Sequence, residues 1–288
     1  MENHQSIEII CSDNYSIFGI FYPSQNQIKH NTPILIAPAT GITTDFYHSF
    51  ATWLSTQGFN VLSFDFRGIG KSLHCPLKDS EANILQWAQL DLPAAIDKLL
   101  SLTDAEKVIL LGHSAGGQLT GIIPHYQKIA KIIAVSGSSG HIKGLKGRTK
   151  ILAPIMFQGI FPVARYTLGY GPTKAIGMGE NLPKNVAKQW AEFCKKPGYV
   201  INALGKSLKE EQNFHKNITQ PIIAIWASDD EIATKTNVDD LLRLYPNAPK
   251  TIIKLNPKTF KQSRIGHMLM FKSTHKNIWP TIEEQLYN

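Results

Sequence analysis

The chain has 288 residues, of which 43% are hydrophobic and 18% are charged, and its formal net charge at pH 7 is +8. This composition excludes an intrinsically disordered chain, because enough apolar surface is present to build a large buried core. No apolar run approaches the roughly 20 residues that a membrane-spanning helix requires. We therefore expect a globular protein with one large α/β domain and an insertion.

Cysteine usage and the N-terminal residues bear on compartment and cofactors. The cysteines Cys11, Cys75 and Cys194 are odd in number, and their spacings match neither a zinc site nor a disulfide framework. Free thiols are usual in a reducing compartment. Residues 1–5 lack the basic and apolar regions of a secretory signal. We therefore expect a cytoplasmic protein that uses no metal and no organic cofactor.

The hydrophobic pattern predicts strands that alternate with helices. In chain order the predicted elements are a hairpin at 7–22, a strand at 33–37, a helix at 46–58, a strand at 60–65, a helix at 83–102, a strand at 108–111, a helix at 118–130, strands at 131–135 and 221–226, a helix at 237–244, a strand at 251–255 and a helix at 278–287. Short, wholly apolar strands are buried on both faces, as in parallel sheets. The order predicts the α/β class, with a mostly parallel central sheet and helices on both faces.

The strongest local signal is the sequence Gly-His-Ser-Ala-Gly at 112–116, directly after an apolar strand. A strand, a sharp turn and a helix in this order form a nucleophile elbow. The glycines fit this interpretation, because a side chain at either position would collide with the flanking backbone. The N–H groups that begin the next helix face the serine, where they stabilise negative charge. We predict that Ser114 is a nucleophile and that His113, its neighbour, is a structural histidine pointing away from it.

A second loop of small residues, at 38–42, follows the buried strand before it. In enzymes with a nucleophile elbow, one oxyanion donor is the N–H of the residue after the nucleophile, and another comes from such a loop. We therefore predict the backbone N–H groups of Thr40 and Ala115 as the donors. Ala39 and Gly41 are alternatives to Thr40, and a plain turn is the other interpretation of the loop.

The alternation of strands and helices stops at residues 141–216. This segment shows no strand pattern and is rich in glycine, proline, lysine and aromatic residues. We predict that it is an inserted, mainly helical cap over the active site, and that residues 1–140 and 217–288 form the core. The alternative is a set of packing helices that take no part in binding.

The positive charge of the protein lies in the same insertion, which holds thirteen Lys or Arg residues and four acidic ones. One interpretation is a solvated surface that keeps the protein in solution. The other is a segment that faces an anionic partner, either a phospholipid surface, through a weak contact, or an acidic substrate. We expect no nucleic-acid partner, because the lysines are scattered and match no known binding module.

Carboxylates and a histidine follow the later strands of the predicted sheet. Asp229, Asp230 and Glu231 come after one strand, and His267 lies in a glycine-containing loop after the next. The carboxyl ends of parallel strands share one edge of the sheet, which is also the edge of Ser114. An acid there orients the histidine, which takes the proton of the serine. The order serine, acid, histidine is the one found in α/β-hydrolases.

These motifs together resemble the α/β-hydrolases, in the branch that contains serine aminopeptidase-like and monoglyceride-lipase-like hydrolases. Within that branch the chain is similar to a bacterial group of predicted hydrolases of unassigned substrate. The matching segments lie at 37–41, 65–72, 112–117 and 265–267. The resemblance implies the α/β-hydrolase fold with an inserted cap.

The chain departs from the family pattern at two places. The usual His-Gly of the oxyanion loop is Pro-Ala here, and the resemblance then puts Thr40 at the donor position. The family's Gly-x-x-Asp reads Ala-Ser-Asp-Asp at 227–230. This register implies Asp230 rather than Asp229 as the acid, with Glu231 as a more distant candidate.

We therefore expect a serine hydrolase that cleaves a carboxylic ester, such as a lipid ester, through Ser114, His267 and Asp230 and an acyl-enzyme intermediate. Its partner is then a small-molecule acyl substrate. Amide, thioester or carbon–carbon bond cleavage and acyl transfer are alternative reactions of the same residues. A binding protein without enzymatic activity is a further alternative, although a scaffold has no need of the complete set.

Overall fold

A computed structural model of the chain describes residues 4–26 and 30–287. The strands in this part are β1 (Gln5–Ile10), β2 (Ser16–Tyr22), β3 (Ile34–Ala37), β4 (Val61–Phe64), β5 (Val108–His113), β6 (Ile129–Val135), β7 (Tyr170–Gly171), β8 (Leu182–Pro183), β9 (Ile222–Ala227) and β10 (Lys250–Leu255). Eight of them form one sheet in the order β1-β2-β4-β3-β5-β6-β9-β10, and β7 pairs with β8. The β1–β2 and β2–β4 pairs are antiparallel and the other pairs of the large sheet are parallel. The predicted mostly parallel sheet is confirmed.

Helices cover both faces of this sheet. They are α1 (Thr44–Thr56), α2 (Ile84–Gln86), α3 (Leu92–Thr103), α4 (Ala115–Gln118), α5 (Gly147–Ile155), α6 (Phe161–Thr167), α7 (Lys184–Phe193), α8 (Lys235–Leu242) and α9 (Trp279–Tyr287). Side chains alternate between the faces along each strand. Ile34 and Ile36 of β3 lie in one core cluster with α1 and α9, and Leu35 lies in another with α3 and α8. This arrangement confirms the predicted α/β class with helices on both sides.

The insertion predicted at 141–216 lies between β6 and β9. It carries α5, α6, α7 and the β7–β8 pair, so it is mainly helical. Its buried aromatic side chains, among them Phe157, Phe161 and Phe193, belong to the same core cluster as Leu35 and Leu110 of the sheet. The insertion therefore shares one apolar core with the rest of the fold, and its limits as a separate cap stay a prediction.

The helix after Ser114 is much shorter than the pattern predicts. The expected helix at 118–130 is wrong, because α4 ends at Gln118 and is followed by two short 3-10 turns (Thr120–Ile122 and Tyr126–Lys128) and then by β6. Gly121 weakens a helix by about 1 kcal/mol, and Pro124 lacks the N–H group that a continuing helix needs. Apolar residues at 119, 122 and 123 imitate helical spacing while the chain turns towards β6.

The remaining general predictions concern thiols, metals and membranes. All three cysteines are free, with Cys75 exposed and the other two buried. Within residues 4–26 and 30–287, no group of three or more His, Cys, Asp or Glu side chains is placed to hold a metal ion. No helix of that same part is long and apolar enough to cross a bilayer. The prediction about a secretory signal involves residues 1–3, which lie outside the described residues.

Candidate active site

Ser114 lies on a sharp turn between β5 and α4. Its backbone has φ 47° and ψ −109°, a conformation that residues with a side chain rarely adopt. The turn leaves no space around it. A Cβ on Gly112 would stand 2.3 Å from the nitrogen of Gly117, and one on Gly116 would stand 2.2 Å from the oxygen of Ala37. The two glycines are therefore required by close approach of the backbone, as the elbow motif predicts.

The structure brings the predicted serine, histidine and acid into one line. The Nε2 atom of His267 lies 2.9 Å from Oγ of Ser114, and its Nδ1 atom lies 2.8 Å from Oδ2 of Asp230. The His267 side chain is 15% exposed, whereas that of Asp230 is fully buried. The parallel alignment of β5, β6, β9 and β10 brings these loops to the same edge of the sheet.

The Asp230 carboxylate is fixed through both of its oxygens. Oδ1 accepts hydrogen bonds from the N–H groups of Ile232 and Ala233 at 2.8 and 2.9 Å, which leaves Oδ2 to His267. Burial raises the pKa of this carboxyl, but His267 and the two N–H groups outweigh burial and hold the pKa below its usual value. A charged, immobile carboxylate orients the imidazole so that Nε2 faces the serine.

Asp229, the alternative acid, has a different task. Its two oxygens accept hydrogen bonds from the N–H groups of Ile265 and Gly266 at 3.0 and 3.1 Å. These residues immediately precede His267. Asp229 thus holds the backbone of the histidine loop and makes no hydrogen bond to the imidazole, a role that the sequence pattern does not reveal.

Glu231, the third candidate acid, faces the insertion. Its Oε2 atom accepts hydrogen bonds from the N–H and hydroxyl groups of Thr149 at 2.9 and 2.7 Å. These contacts lower the pKa of the Glu231 carboxyl. Glu231 therefore fastens the start of α5 beside Asp230.

The predicted oxyanion loop lies against the elbow, since the N–H of Gly116 donates to the carbonyl of Pro38 at 3.1 Å. The N–H of Ala39 donates to the Tyr47 hydroxyl at 2.9 Å, which removes Ala39 from the three alternatives. In the part of the chain that the structure describes, the N–H groups of Thr40, Gly41 and Ala115 donate no backbone hydrogen bond. Gly41 thus stays an alternative to Thr40, and the role of Thr40 and Ala115 as oxyanion donors stays a prediction.

His113 is fully buried behind these loops and does not contact Ser114. Its Nδ1 atom lies 2.8 Å from the Tyr47 hydroxyl, and its Nε2 atom lies 2.9 Å from the backbone oxygen of His267. A carbonyl oxygen only accepts, so Nε2 carries the proton and Nδ1 accepts from Tyr47. Burial, together with the nearby His267, lowers the pKa of His113 to about 3. The ring is therefore neutral near neutral pH.

A single buried chain of hydrogen bonds therefore joins three loops of the site. It runs from the N–H of Ala39 through Tyr47 and His113 to the carbonyl of His267. The sequence predicts His113 as a structural histidine and gives no sign of the role of Tyr47. The available signal is the position of His113, a polar residue at the end of a wholly buried strand, where it must find partners.

Comparison with known proteins identifies relatives of this arrangement. The family model described as "Serine aminopeptidase, S33" matches residues 29–258. Among curated proteins, the uncharacterised protein YfhR of Escherichia coli K12 is 31% identical over 117 residues, 39% of this chain and 39% of YfhR. The probable lysophospholipase L2 of Haemophilus influenzae is 24% identical over 236 residues, 74% of this chain and 70% of that protein.

Solved structures agree on the fold. The structure of DcsB with its substrate analogue superposes with a TM-score of 0.65 at 16% identity and covers 98% of both chains. At that identity the likeness shows the fold alone. The match to YfhR extends over about two fifths of that relative, whereas the family model spans most of the chain, from strand β3 past strand β10. The chain therefore belongs to the serine aminopeptidase S33 family of α/β-hydrolases.

Proposed function

We propose that the protein is a serine hydrolase that cleaves carboxylic esters through an acyl-enzyme formed on Ser114. The observation that carries this proposal is the unbroken line of hydrogen bonds from Ser114 through both ring nitrogens of His267 to Asp230, at 2.9 and 2.8 Å. A neutral serine hydroxyl is a weak nucleophile. An adjacent imidazole that removes its proton during attack makes it an effective one.

The geometry supports a two-stage reaction. Ser114 Oγ attacks the acyl carbon while its proton passes to Nε2 of His267, and Asp230 stabilises the imidazolium that results. When the tetrahedral intermediate collapses, the bond to the alcohol breaks and His267 gives its proton to the alcohol oxygen. A water molecule then attacks the acyl-enzyme with the same proton transfers, which releases the carboxylic acid and restores the serine.

The carbonyl oxygen becomes negative in each tetrahedral intermediate. We assign its stabilisation to the N–H groups of Ala115, at the start of α4, and of Thr40, in the loop after β3. A preorganised donor of this kind contributes about 3 kcal/mol to the transition state. Support comes from the hydrogen bond between Gly116 and Pro38, which holds the two loops side by side.

Likeness to the lysophospholipase, which extends over 74% of the chain, favours an ester substrate such as an acyl lipid. The family description names an aminopeptidase, so an aminoacyl amide is the second candidate. The two reactions use the same residues and differ in the leaving group, an alcohol or an amine. Relative turnover of p-nitrophenyl esters and aminoacyl anilides distinguishes them, and we expect the esters to react faster.

A fluorophosphonate probe tests the nucleophile directly. We expect the wild-type protein to be labelled and Ser114→Ala to remain unlabelled. Ser136→Ala is the matched control, because Ser136, like Ser114, directly follows a strand of the sheet and has a positive φ, 52°. It should be labelled like the wild type. An unlabelled wild-type protein, or a labelled Ser114→Ala variant, would refute the proposed nucleophile.

A further inference from the structure

One face of the first helical run of the insertion is apolar and open to solvent. The run consists of α5, a π-helical turn (Met156–Ile160) and α6, which follow one another without a break. The outward side chains have high exposed fractions, and we call these five residues the cap face: Ile151 67%, Leu152 60%, Ile155 54%, Val163 63% and Tyr166 94%.

The opposite side of the same run is already used by the core. The buried positions are Ala153, Met156, Phe157, Phe161 and Ala164. A helix that is apolar all round is normally buried all round. A contiguous exposed apolar surface, by contrast, usually marks a binding site. Packing of the chain thus accounts for the inner side of the run and leaves the cap face unexplained.

The stretch of sequence that carries the cap face has charges of one sign only. Residues 143–179 include six Lys or Arg residues and no Asp or Glu. Four of the six stand exposed before the first apolar member of the face, at the amino-terminal end of the run: Lys143, Lys146, Arg148 and Lys150. Glu231, which binds Thr149, and Glu180, which pairs with Lys174, compensate part of this charge. The surface therefore combines aliphatic side chains with a net positive charge.

We propose that the cap face docks onto an anionic lipid surface. In this arrangement the aliphatic side chains enter the boundary of the acyl chains, the ring of Tyr166 lies among the head groups, and the lysines attract anionic lipids. The proposal narrows the membrane contact that the charge of the insertion suggests to one side of one helical run.

Other occupants fit the surface less well. A symmetric contact with a second copy would bring two clusters of the same sign of charge into one interface, and like charges repel. An interface with a protein partner normally includes direct hydrogen bonds as well as apolar area. The only polar group among the five side chains of the cap face is the hydroxyl of Tyr166. Docking onto a fluid lipid surface requires only exposed apolar area and positive charge.

The run is fastened beside the proposed catalytic residues at two places. Thr149, at its start, donates to Glu231 next to Asp230. Beyond its end, the N–H of Glu180 donates to the carbonyl of Gly41 at 2.7 Å, next to the oxyanion loop donor. A membrane that binds the cap face would thus lie close to the site where an acyl lipid must enter. The benefit of having the membrane close to the site rests on the proposed function, whereas the docking itself does not.

Cosedimentation of the whole protein with lipid vesicles tests the docking. We expect binding to vesicles of phosphatidylcholine mixed with phosphatidylglycerol, at least tenfold weaker binding to phosphatidylcholine alone, and loss of binding at high salt. Ile151→Ser/Ile155→Ser should weaken binding at least tenfold. The matched pair Ile10→Ser/Ile252→Ser, with side chains 57% and 50% exposed on the two edge strands, should leave it unchanged.

Variants that remove positive charge test the electrostatic part of the docking. Neutralising three lysines beside the cap face should weaken binding about 100-fold, because each contributes roughly a factor of five near an anionic surface. The variant is Lys143→Gln/Lys146→Gln/Lys150→Gln. The control removes the same charge from exposed positions elsewhere and should change binding less than about threefold. It is Lys258→Gln/Lys261→Gln/Lys276→Gln.

Two further measurements separate docking from catalysis. Ser114→Ala should bind vesicles like the wild type, and Ile151→Ser/Ile155→Ser should react with the fluorophosphonate like the wild type when no vesicles are present. Equal binding by that pair and its control would overturn the proposal. A second outcome would also overturn it: the wild-type protein does not bind vesicles but forms a dimer, and Ile151→Ser/Ile155→Ser dissociates that dimer. The cap face would then be the contact surface for a second copy.

Discussion

The edge of the sheet that holds Ser114, His267 and Asp230, which we call the catalytic edge after the proposed function, differs from the cap face in how its side chains are partnered. At the catalytic edge, both carboxylate oxygens of Asp230 and of Asp229 accept hydrogen bonds. Asp230 holds the His267 ring, and Asp229 holds the loop that carries it. On the cap face, five apolar side chains each have more than half of their surface in water, and Tyr166 is 94% exposed.

The difference matches the demands on each region. The proposed proton transfer between Ser114 and His267 would slow about 100-fold if the atoms shifted by an ångström. This edge is accordingly built from groups that hydrogen bonds hold in fixed geometry. Contact with a fluid surface requires area and charge without a fixed partner. Backbone hydrogen bonds link the two regions, from Glu180 to Gly41 and from Lys146 to Glu231. Variants in each region test whether one can be altered without the other.

The largest effect is expected from Asp230→Asn. The amide retains an oxygen for the N–H groups of Ile232 and Ala233, but it no longer stabilises the imidazolium or selects the correct tautomer of His267. We expect kcat/KM for a p-nitrophenyl ester to fall about 10⁴-fold, with the far-ultraviolet circular dichroism spectrum unchanged. Ester hydrolysis and circular dichroism of the purified variant measure the two quantities.

Asp229→Asn is the matched control for that variant. It removes one charged acceptor from the loop before His267 and leaves the contact between His267 and Asp230 in place. We expect kcat to fall about tenfold with KM nearly unchanged, because positioning rather than binding is affected. Losses of similar size in the two variants would contradict the assignment of Asp230 as the acid.

Tyr47→Phe is expected to have an intermediate effect. The hydroxyl satisfies both the N–H of Ala39 and Nδ1 of His113, so its removal should lower the free energy of unfolding by about 1–3 kcal/mol. Activity should fall about tenfold, because the loops behind Ser114 lose their link. Tyr199→Phe is the control, since the Tyr199 hydroxyl is buried without a hydrogen-bond partner among the described residues. An equal loss of activity in Tyr199→Phe would count against a specific role for the chain of hydrogen bonds.

These expectations separate what sequence can and cannot reveal. Ser114, Asp230 and His267 were predictable because a glycine-flanked turn and the shared edge of parallel strands follow from local rules. The role of Asp229 was not, because it binds main-chain N–H groups of residues 265–266, and every residue except proline presents the same group. The partners of His113 were hidden for a similar reason, since Tyr47 lies 66 residues away in the chain.

The same limit applies to the helices. The sequence indicates that the insertion is helical and apolar, but periodicity cannot reveal which side of α5 and α6 is buried. It also predicts a helix at 118–130, since apolar residues at 119, 122 and 123 fit either a helix or a buried turn. Tertiary packing decides both cases, and only the structure distinguishes the inner side of the cap run from the cap face.

Acid should lower the free energy of unfolding through His113, which lies behind the catalytic edge. Unfolded His113 takes up a proton near pH 6.5, whereas burial lowers its pKa in the folded state to about 3. Between these values the unfolded state binds more protons, so the free energy of unfolding falls as the pH falls. His113→Gln should therefore show a slope shallower by up to about 1.4 kcal/mol per pH unit between pH 5.5 and 4.5. Urea denaturation at both pH values measures this, and an unchanged slope would show that His113 is protonated in the fold.

The smallest effect is expected on the cap face itself. Tyr166→Ala should change the free energy of unfolding by less than about 0.5 kcal/mol, because the side chain contributes little to the core. Phe161→Ala, on the buried side of the same α6 helix, should cost about 3–5 kcal/mol. Urea denaturation of the two variants compares a pair of aromatic residues that differ mainly in burial. A large loss for Tyr166→Ala would mean that the cap face stabilises the fold in solution, whereas a small loss leaves binding as the reason for its apolar character.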